Sequence, residues 1–323
     1  MEDPMKKITP LDLTGITTYC LKDRPSKVSL RDFGRAWVPG GSLREFVDRL
    51  PKILAATALR EVAGVWVKAR REKRQVLLGM GAHPLKVGLS PVIIDLLRRG
   101  LITGVALNGA GIVHDAEIAM AGQTSEDVDE VLGCGRFGMA QETGEFLNNA
   151  ISWGAGQKLG LGEAVGRRLL ESDFPYKDKS LLAAAAALEV PLTVHVAVGT
   201  DIIHLHPSVH PEALGAATHL DFRIFSALVS QLAGGVYLNL GSAVIMPEVF
   251  LKAVTLARNL GHKVEPLTTV NLDFVQHYRP LTNVVRRPTA GAGQGYALTG
   301  HHELLFPLLA ALVIEEMEEN HAH

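Results

Sequence analysis

Four short apolar segments, each broken off at glycine or another small residue, constrain this chain more than anything else in it. They are VLLGMG (76–81), ITGVALNGAG (102–111), PLTVHVAVGTD (191–201) and GGVYLNLGSA (234–243). A short apolar run without polar alternation is the pattern of a strand covered on both faces. Between them lie stretches with helical spacing: VIIDLLRRG behind Ser90-Pro91, SLLAAAAALE, LDFRIFSALVSQLAG and PEVFLKAVTLARNLG. VEPLTTVNLDF (264–274) is a further strand candidate. Strands alternating with helices specify a mostly parallel sheet with right-handed crossovers. The expected fold is therefore α/β, a doubly wound Rossmann-like sheet. Ligands of such sheets sit beyond the carboxyl ends of the strands, where the strand order reverses, and glycine there lets the backbone approach a ligand closely. The four glycine-tipped ends are expected to converge on one dinucleotide-sized crevice.

The flanks read differently. Residues 1–42 are rich in Pro, Gly and charge and predict an irregular arm that wraps or caps the main body. Residues 43–323 form a single nucleotide-binding domain on this reading. Ser42 is placed to cap a helical run that ends in the basic stretch Lys68–Arg74, where positive charge complements the helix dipole. Ser90 and Pro91 supply an N-cap and a first-turn proline for the next helix. The apolar run Leu304–Ile314 contains Pro307 and, at 11 residues, reads as a buried helix too short to span a bilayer.

Composition excludes several classes of function. The 32 Lys+Arg against 34 Asp+Glu leave a net charge of -2, which gives no basic face for nucleic acid. With 47% hydrophobic and 20% charged residues the chain has material for a core and no signature of disorder. Its two cysteines, Cys20 and Cys134, make a disulfide framework unexpected and point to a reducing compartment. The first residues carry no apolar leader, so the expectation is a cytoplasmic protein without a membrane partner.

Chemistry-bearing residues cluster in a few places. His195, His204, His206 and His210 fall within residues 195–210, and His-x-His spacing with Asp201 or Glu212 could complete a metal shell. Pro207 and Pro211 argue for a turn there, and His195 is expected to point into the sheet. Asp115, Glu117 and Asp201 are the acids near strand ends. Asp115 could equally cap helix amides or recognise a ribose. The glycine-rich loop Thr289–Gly295 is either a phosphate cradle or a plain turn. His301 and His302, at a helix start, read as partners for nearby carboxylates. No Gly-x-Ser-x-Gly elbow is present, and neither cysteine sits in a nucleophile context.

The ordered set LLGMGAHPLKVGLSPVIIDLL, GVALNGAGIVHD, VHVAVGTDIIH and GGVYLNLGSAV resembles deoxyhypusine synthase across residues 65–290. The resemblance implies a Rossmann-like fold, NAD as cofactor, and a homo-oligomer, dimer or tetramer. It implies that Gly79, Gly81, Ala82 and His83 line the NAD site together with Asn108, Gly109, Ala110 and Gly111. Asp201 takes the place of that family's nucleotide-contacting aspartate, and Gly241-Ser242 that of its glycine run; Asp115 joins them as a ribose candidate. The family's polyamine transfer does not carry over. Its substrate-holding acid falls on His206 and its catalytic histidine on Met246. Its imine-forming lysine has no counterpart, since the chain has no lysine after Lys263. The resulting expectation is an NAD-dependent enzyme, loosely a relative of the transferases, that oxidises a small amine or alcohol with His206, His204 or His114 as general base. Two alternatives stand beside it: a metal enzyme built on His204, His206 and His210, and a catalytically silent nucleotide-binding or assembly subunit.

Overall fold

The computed structural model describes residues 8–318. Six strands, β1 (Val76–Met80), β2 (Gly104–Asn108), β3 (Leu192–His195), β4 (Val236–Leu240), β5 (Leu267–Asp273) and β6 (Gly293–Thr299), form one sheet in the order β3-β2-β1-β4-β5-β6. Every pairing is parallel. This is the doubly wound Rossmann order, with its reversal between β1 and β4. Side chains alternate across it: Val76, Leu78 and Met80 enter one core layer, and Leu77 enters the other beside Ala106, Tyr237 and Phe250. Helices Leu54–Arg71, Ser90–Arg98, Gly109–Ala121 and His302–Glu318 fill the first layer; Pro211–Ser230 and Ile245–Asn259 fill the second.

Local chemistry explains where the elements start and stop. Ser42 and Glu45 form the reciprocal capping pair of helix Leu43–Arg49. The run predicted as one helix is two, because Pro51 cannot donate and holds Leu50 extended at ψ 151. The second of them ends with Lys68, Arg70 and Arg71 in its last turn, as the dipole favours. Ser90 is not the cap expected of it: it is the first residue of its helix, and Leu89 stands at the cap position. β3 is shorter than the predicted 191–201, since the chain leaves the sheet after His195 and turns through Ile202–Leu205.

Two expectations are corrected more deeply. The Thr289–Gly295 loop is no phosphate cradle: Gly293 and Gly295 open β6, and side chains there would strike the Leu267 and Val285 carbonyl oxygens at 2.2 and 2.1 Å. The arm touches the body near its end: the Lys52 amide donates to the Asp32 carbonyl, the Arg35 amide to the Arg49 carbonyl and the Arg49 guanidinium to the Ala36 carbonyl, and Trp37 meets the Phe46 ring. Ile8, Leu11 and Leu30 stay more than four-fifths exposed, so the arm does not cap its own domain. The C-terminal helix packs against Leu54–Arg71 and β5. No helix among the described residues is long and apolar enough to cross a membrane.

Candidate functional site

The turns after β1 and β4 touch. The Gly81 amide donates to the Leu240 carbonyl at 3.1 Å, and a side chain on Gly81 would come within 2.4 Å of the Gly241 carbonyl oxygen. The chain leaves β1 toward β2 on one side and leaves β4 toward β5 on the other, so the edge opens here for lack of a crossing connection. Ala82, His83 and Val244 are at least partly open to solvent along it, and Ser242 is buried with its hydroxyl accepting from the Met246 amide at 3.1 Å.

On the β2–β3 side, Asn108 caps helix Gly109–Ala121, its Oδ1 accepting from the Gly111 amide at 3.2 Å. Asp201 leans over the same turn: a side chain on Gly109 would meet Asp201 Oδ2 at 2.2 Å. That carboxylate accepts from the Ala197 amide at 2.9 Å and is reached by the Ala110 amide; burial nonetheless holds its pKa above the ordinary value. The two sequence features are thus brought together, and the outcome decides what fits. A carboxylate on the first turn of a helix already neutralises the amides that would attract phosphate, while it can accept from a hydroxyl. Asp201 therefore offers an acceptor to a hydroxyl where a phosphate would be repelled. Positive charge comes instead from Lys86, close enough to His83 and His114 to depress both.

The β4–β5 side carries a buried polar row that sequence reasoning passed over. Asn239 Nδ2 donates to Asn271 Oδ1 at 2.7 Å and to the Ser242 carbonyl at 2.9 Å, and Asn271 Nδ2 donates to Gln276 at 2.7 Å. Asn239 Oδ1 has no hydrogen-bond partner among the described residues. Beyond them lie Asp273 and, behind it, His302, whose Nε2 is 3.3 Å from Asp273 Oδ1. The carboxylate partnership expected for His302 is present, and His301 stands 3.8 Å from Glu303. The available signal was the asparagines and aspartate inside the otherwise apolar strands VYLNL and LTTVNLD. Buried polar side chains need hydrogen-bond partners, and within this row Asn239 Oδ1 is the atom left without one among the described residues.

Other candidates lie elsewhere. Gly79 is inside β1 facing away from the edge, where a side chain would strike the Tyr237 hydroxyl at 2.1 Å; packing explains this glycine. Asp115 is fully buried and accepts from Ser180 and from the Leu181 and Leu182 amides, at 2.7 and 3.1 Å. Of its two readings the fold uses the capping one, on helix Leu181–Ala187, which removes it from ribose recognition. His114 shares a hydrogen bond with Thr124 at 2.7 Å, and Thr124 donates to Glu117. Burial, aided by Lys86, pushes His114 down to about 4. Glu117 lines a cavity of about 920 Å³ shared by Glu126, Glu142, Glu145, Phe146 and Phe174. His206 bonds Ser208 at 2.7 Å and packs on Gly144; His204 accepts from the Gly199 amide at 3.3 Å. His195 lies in β3 beside Thr193 and Phe225. Among the described residues no three His, Cys, Asp or Glu side chains stand together as a metal site, so His204, His206 and His210 do not form the shell of the metal-enzyme alternative. His210 caps helix Pro211–Ser230 by position, its neighbour Pro211 starting that helix.

No family model matches the chain, and comparison with curated proteins finds no match. Solved structures do match. A putative deoxyhypusine synthase from Entamoeba histolytica superposes with a TM-score of 0.54 at 12% identity, over 87% of this chain and 96% of that one. A conserved putative LOR/SDH protein from Methanococcus maripaludis S2 gives 0.53 at 12% identity, over 82% and 71%. AgrE, in its ternary complex with ornithine and NAD+, gives 0.51 at 17% identity, over 80% and 33%. The chain spans about a third of the length of AgrE. The chain has a divergent deoxyhypusine-synthase-like fold.

Proposed function

We propose that the chain binds NAD across the β1–β4 switch point and acts as an NAD-dependent oxidoreductase on a small amine or alcohol. The observation that carries this reading is the meeting of the Gly81 and Gly241 turns at the reversal of a β3-β2-β1-β4-β5-β6 parallel sheet. Gly81, Ala82 and His83 would hold the cofactor with Gly241 and Ser242 on one side, and Asn108–Gly111 with Asp201 on the other. The neighbour AgrE, crystallised with ornithine and NAD+, supports the choice of cofactor. When bound, NAD would supply hydride acceptance or donation. The protein orients the partners and takes a proton, for which His206, His204 and His114 are the bases drawn from the sequence.

A silent nucleotide-binding subunit is the second reading, favoured by Met246, fully buried where the resembled family has its catalytic histidine. Titration calorimetry with NAD+ and NADH tests both. Absence of heat and of thermal stabilisation at millimolar cofactor overturns the dinucleotide site, and binding without NADH formation from any amine or alcohol favours the silent subunit. Self-association belongs to the proposal as well, supported by the uncovered apolar side chains of the arm; sedimentation at micromolar concentration checks it.

A further inference from the structure

The edge over β1, β4 and β5 holds titratable groups that cofactor binding does not use. His302 is 1% exposed and Asp273 4%. Although Nε2 of His302 lies 3.3 Å from Asp273 Oδ1, neither ring nitrogen completes a hydrogen bond among the described residues. That same Oδ1 of Asp273 already accepts from the Phe274 amide at 2.8 Å. Leaving a buried imidazole so poorly satisfied is costly, and such groups are retained where they act on something. The ring lies edge-on to His83, centroids 5.2 Å apart and planes at 64°. Phe274 closes over both, 5.9 Å from His83 and 5.6 Å from His302. His83 itself reaches solvent.

We propose that His83 is the proton-exchanging group of the switch-point crevice and that the buried Asp273–His302 pair positions it. This rests on the dinucleotide reading and names the base that reading leaves open. His83 directly follows the β1 turn that touches Gly241, whereas His114, His204 and His206 hang from segments after β2 and β3 and already engage Thr124, Gly199 and Ser208. With NAD bound, the cofactor would accept the electron pair of the breaking substrate C–H bond as hydride. An N–H proton of an ammonium substrate, or the O–H proton of an alcohol, passes to the His83 imidazole and then to water, leaving an iminium or a carbonyl product respectively. The groups facing His83 are His302 and Lys86, which disfavour its protonation, and Glu303 and Asp273, which favour it; with burial foremost, its pKa is lowered, so it stands ready as an acceptor.

Two measurements on the full chain test this. Diethyl pyrocarbonate modification of His83, followed by peptide mass spectrometry, is expected to slow about tenfold under saturating NADH, as burial of a reactive imidazole by a ligand requires. If calorimetry shows NADH bound and His83 reacts undiminished, His83 is outside the site and the inference fails; if no NADH binds, it is the dinucleotide reading that fails. The midpoint of the His83 NMR titration, read without cofactor, is expected to rise in His302→Gln, since His302 disfavours protonation of His83. A purely structural His302 would leave it unmoved, and that result overturns the positioning role. Where the variant fails to fold, Asp273→Asn is read instead: it removes a charge that favours protonation of His83, so the midpoint is expected to fall, and an unmoved midpoint overturns the pair.

Discussion

Gly241 and His302 compete for one space. Gly241 has φ +61, and a side chain on it would come within 2.6 Å of the His302 imidazole. The glycine turn of the switch point is therefore shaped by a histidine sixty-one positions later in the chain. Gly241→Ala meets both the strained backbone and the ring, and is expected to cost about 1–3 kcal/mol. Urea unfolding monitored by circular dichroism measures it, and the same variant is expected to shift the His83 titration because the ring must move.

Gly79 and Tyr237 form a similar pair on the sheet face. The Tyr237 ring stacks on Phe250 at 3.7 Å while its hydroxyl has no partner among the described residues. Tyr237→Phe removes an unsatisfied buried polar atom and is expected to be neutral or stabilising by up to about 1 kcal/mol. Gly79→Ala is expected to destabilise by about 2–4 kcal/mol, less so in the Tyr237→Phe background, since the nearest clash is with the hydroxyl. A double-mutant cycle in urea gives the coupling.

Asp115 and Asp221 are expected to tilt stability against the usual carboxylate trend. Burial raises Asp115 from 3.8 to about 6 and Asp221 to about 7. Both bind protons more tightly folded than unfolded, so their contribution is fullest below 3.8 and declines as pH rises through the folded values. The stability of wild type minus that of Asp115→Asn, or of Asp221→Asn, is expected to fall between pH 4 and pH 7. A flat difference across that window would contradict the assignment. Asp221 accepts from the Gly162 and Val194 amides, so its variant also loses acceptor capacity at all pH values.

His114 works in the opposite sense. Its folded value of about 4 lies below the ordinary 6.5. The stability it confers is present above 6.5 and is lost as pH falls toward 4. Its NMR resonances are expected to stay those of a neutral ring at pH 5.5. A midpoint near 6.5 would show that the ring is not buried behind Thr124 as described.

Asp201 separates the cofactor reading from the fold. Loss of a charged acceptor for a ribose hydroxyl is expected to weaken NAD binding about 10- to 100-fold in Asp201→Asn. The asparagine keeps one oxygen for the Ala197 amide, so the fold should persist. Calorimetry compares the two proteins, and equal affinity would move the ribose away from Gly109.

The strand ends illustrate how far sequence patterning reaches. Glycine-tipped apolar runs identified β1, β2, β3 and β4 because a strand buried on both faces cannot hide its composition. β6 escaped, since GQGYALT is an edge strand with exposed glycines and little apolar content. Ser90 looked like a cap, but capping depends on backbone geometry that residue type only favours. Around the switch point, proximity in sequence made Asn108–Gly111 and Gly81–His83 legible as strand-end turns. It could not reveal that Asp201 rests on Gly109, nor that Asp273 and His302 meet behind Gly241.

By itself the sequence determined the layered α/β architecture, through the periodicity of its apolar residues and the small residues that end each run. Those are local properties, enforced wherever a strand or helix must bury a face. The tertiary structure decided which glycines pack against a side chain and which lie where two turns meet, which aspartate caps a distant helix and which rests on the turn after β2, and that the histidines of 204–210 do not assemble. Each of those outcomes depends on side chains far apart in the chain competing for the same few cubic ångströms, and no local pattern encodes that competition.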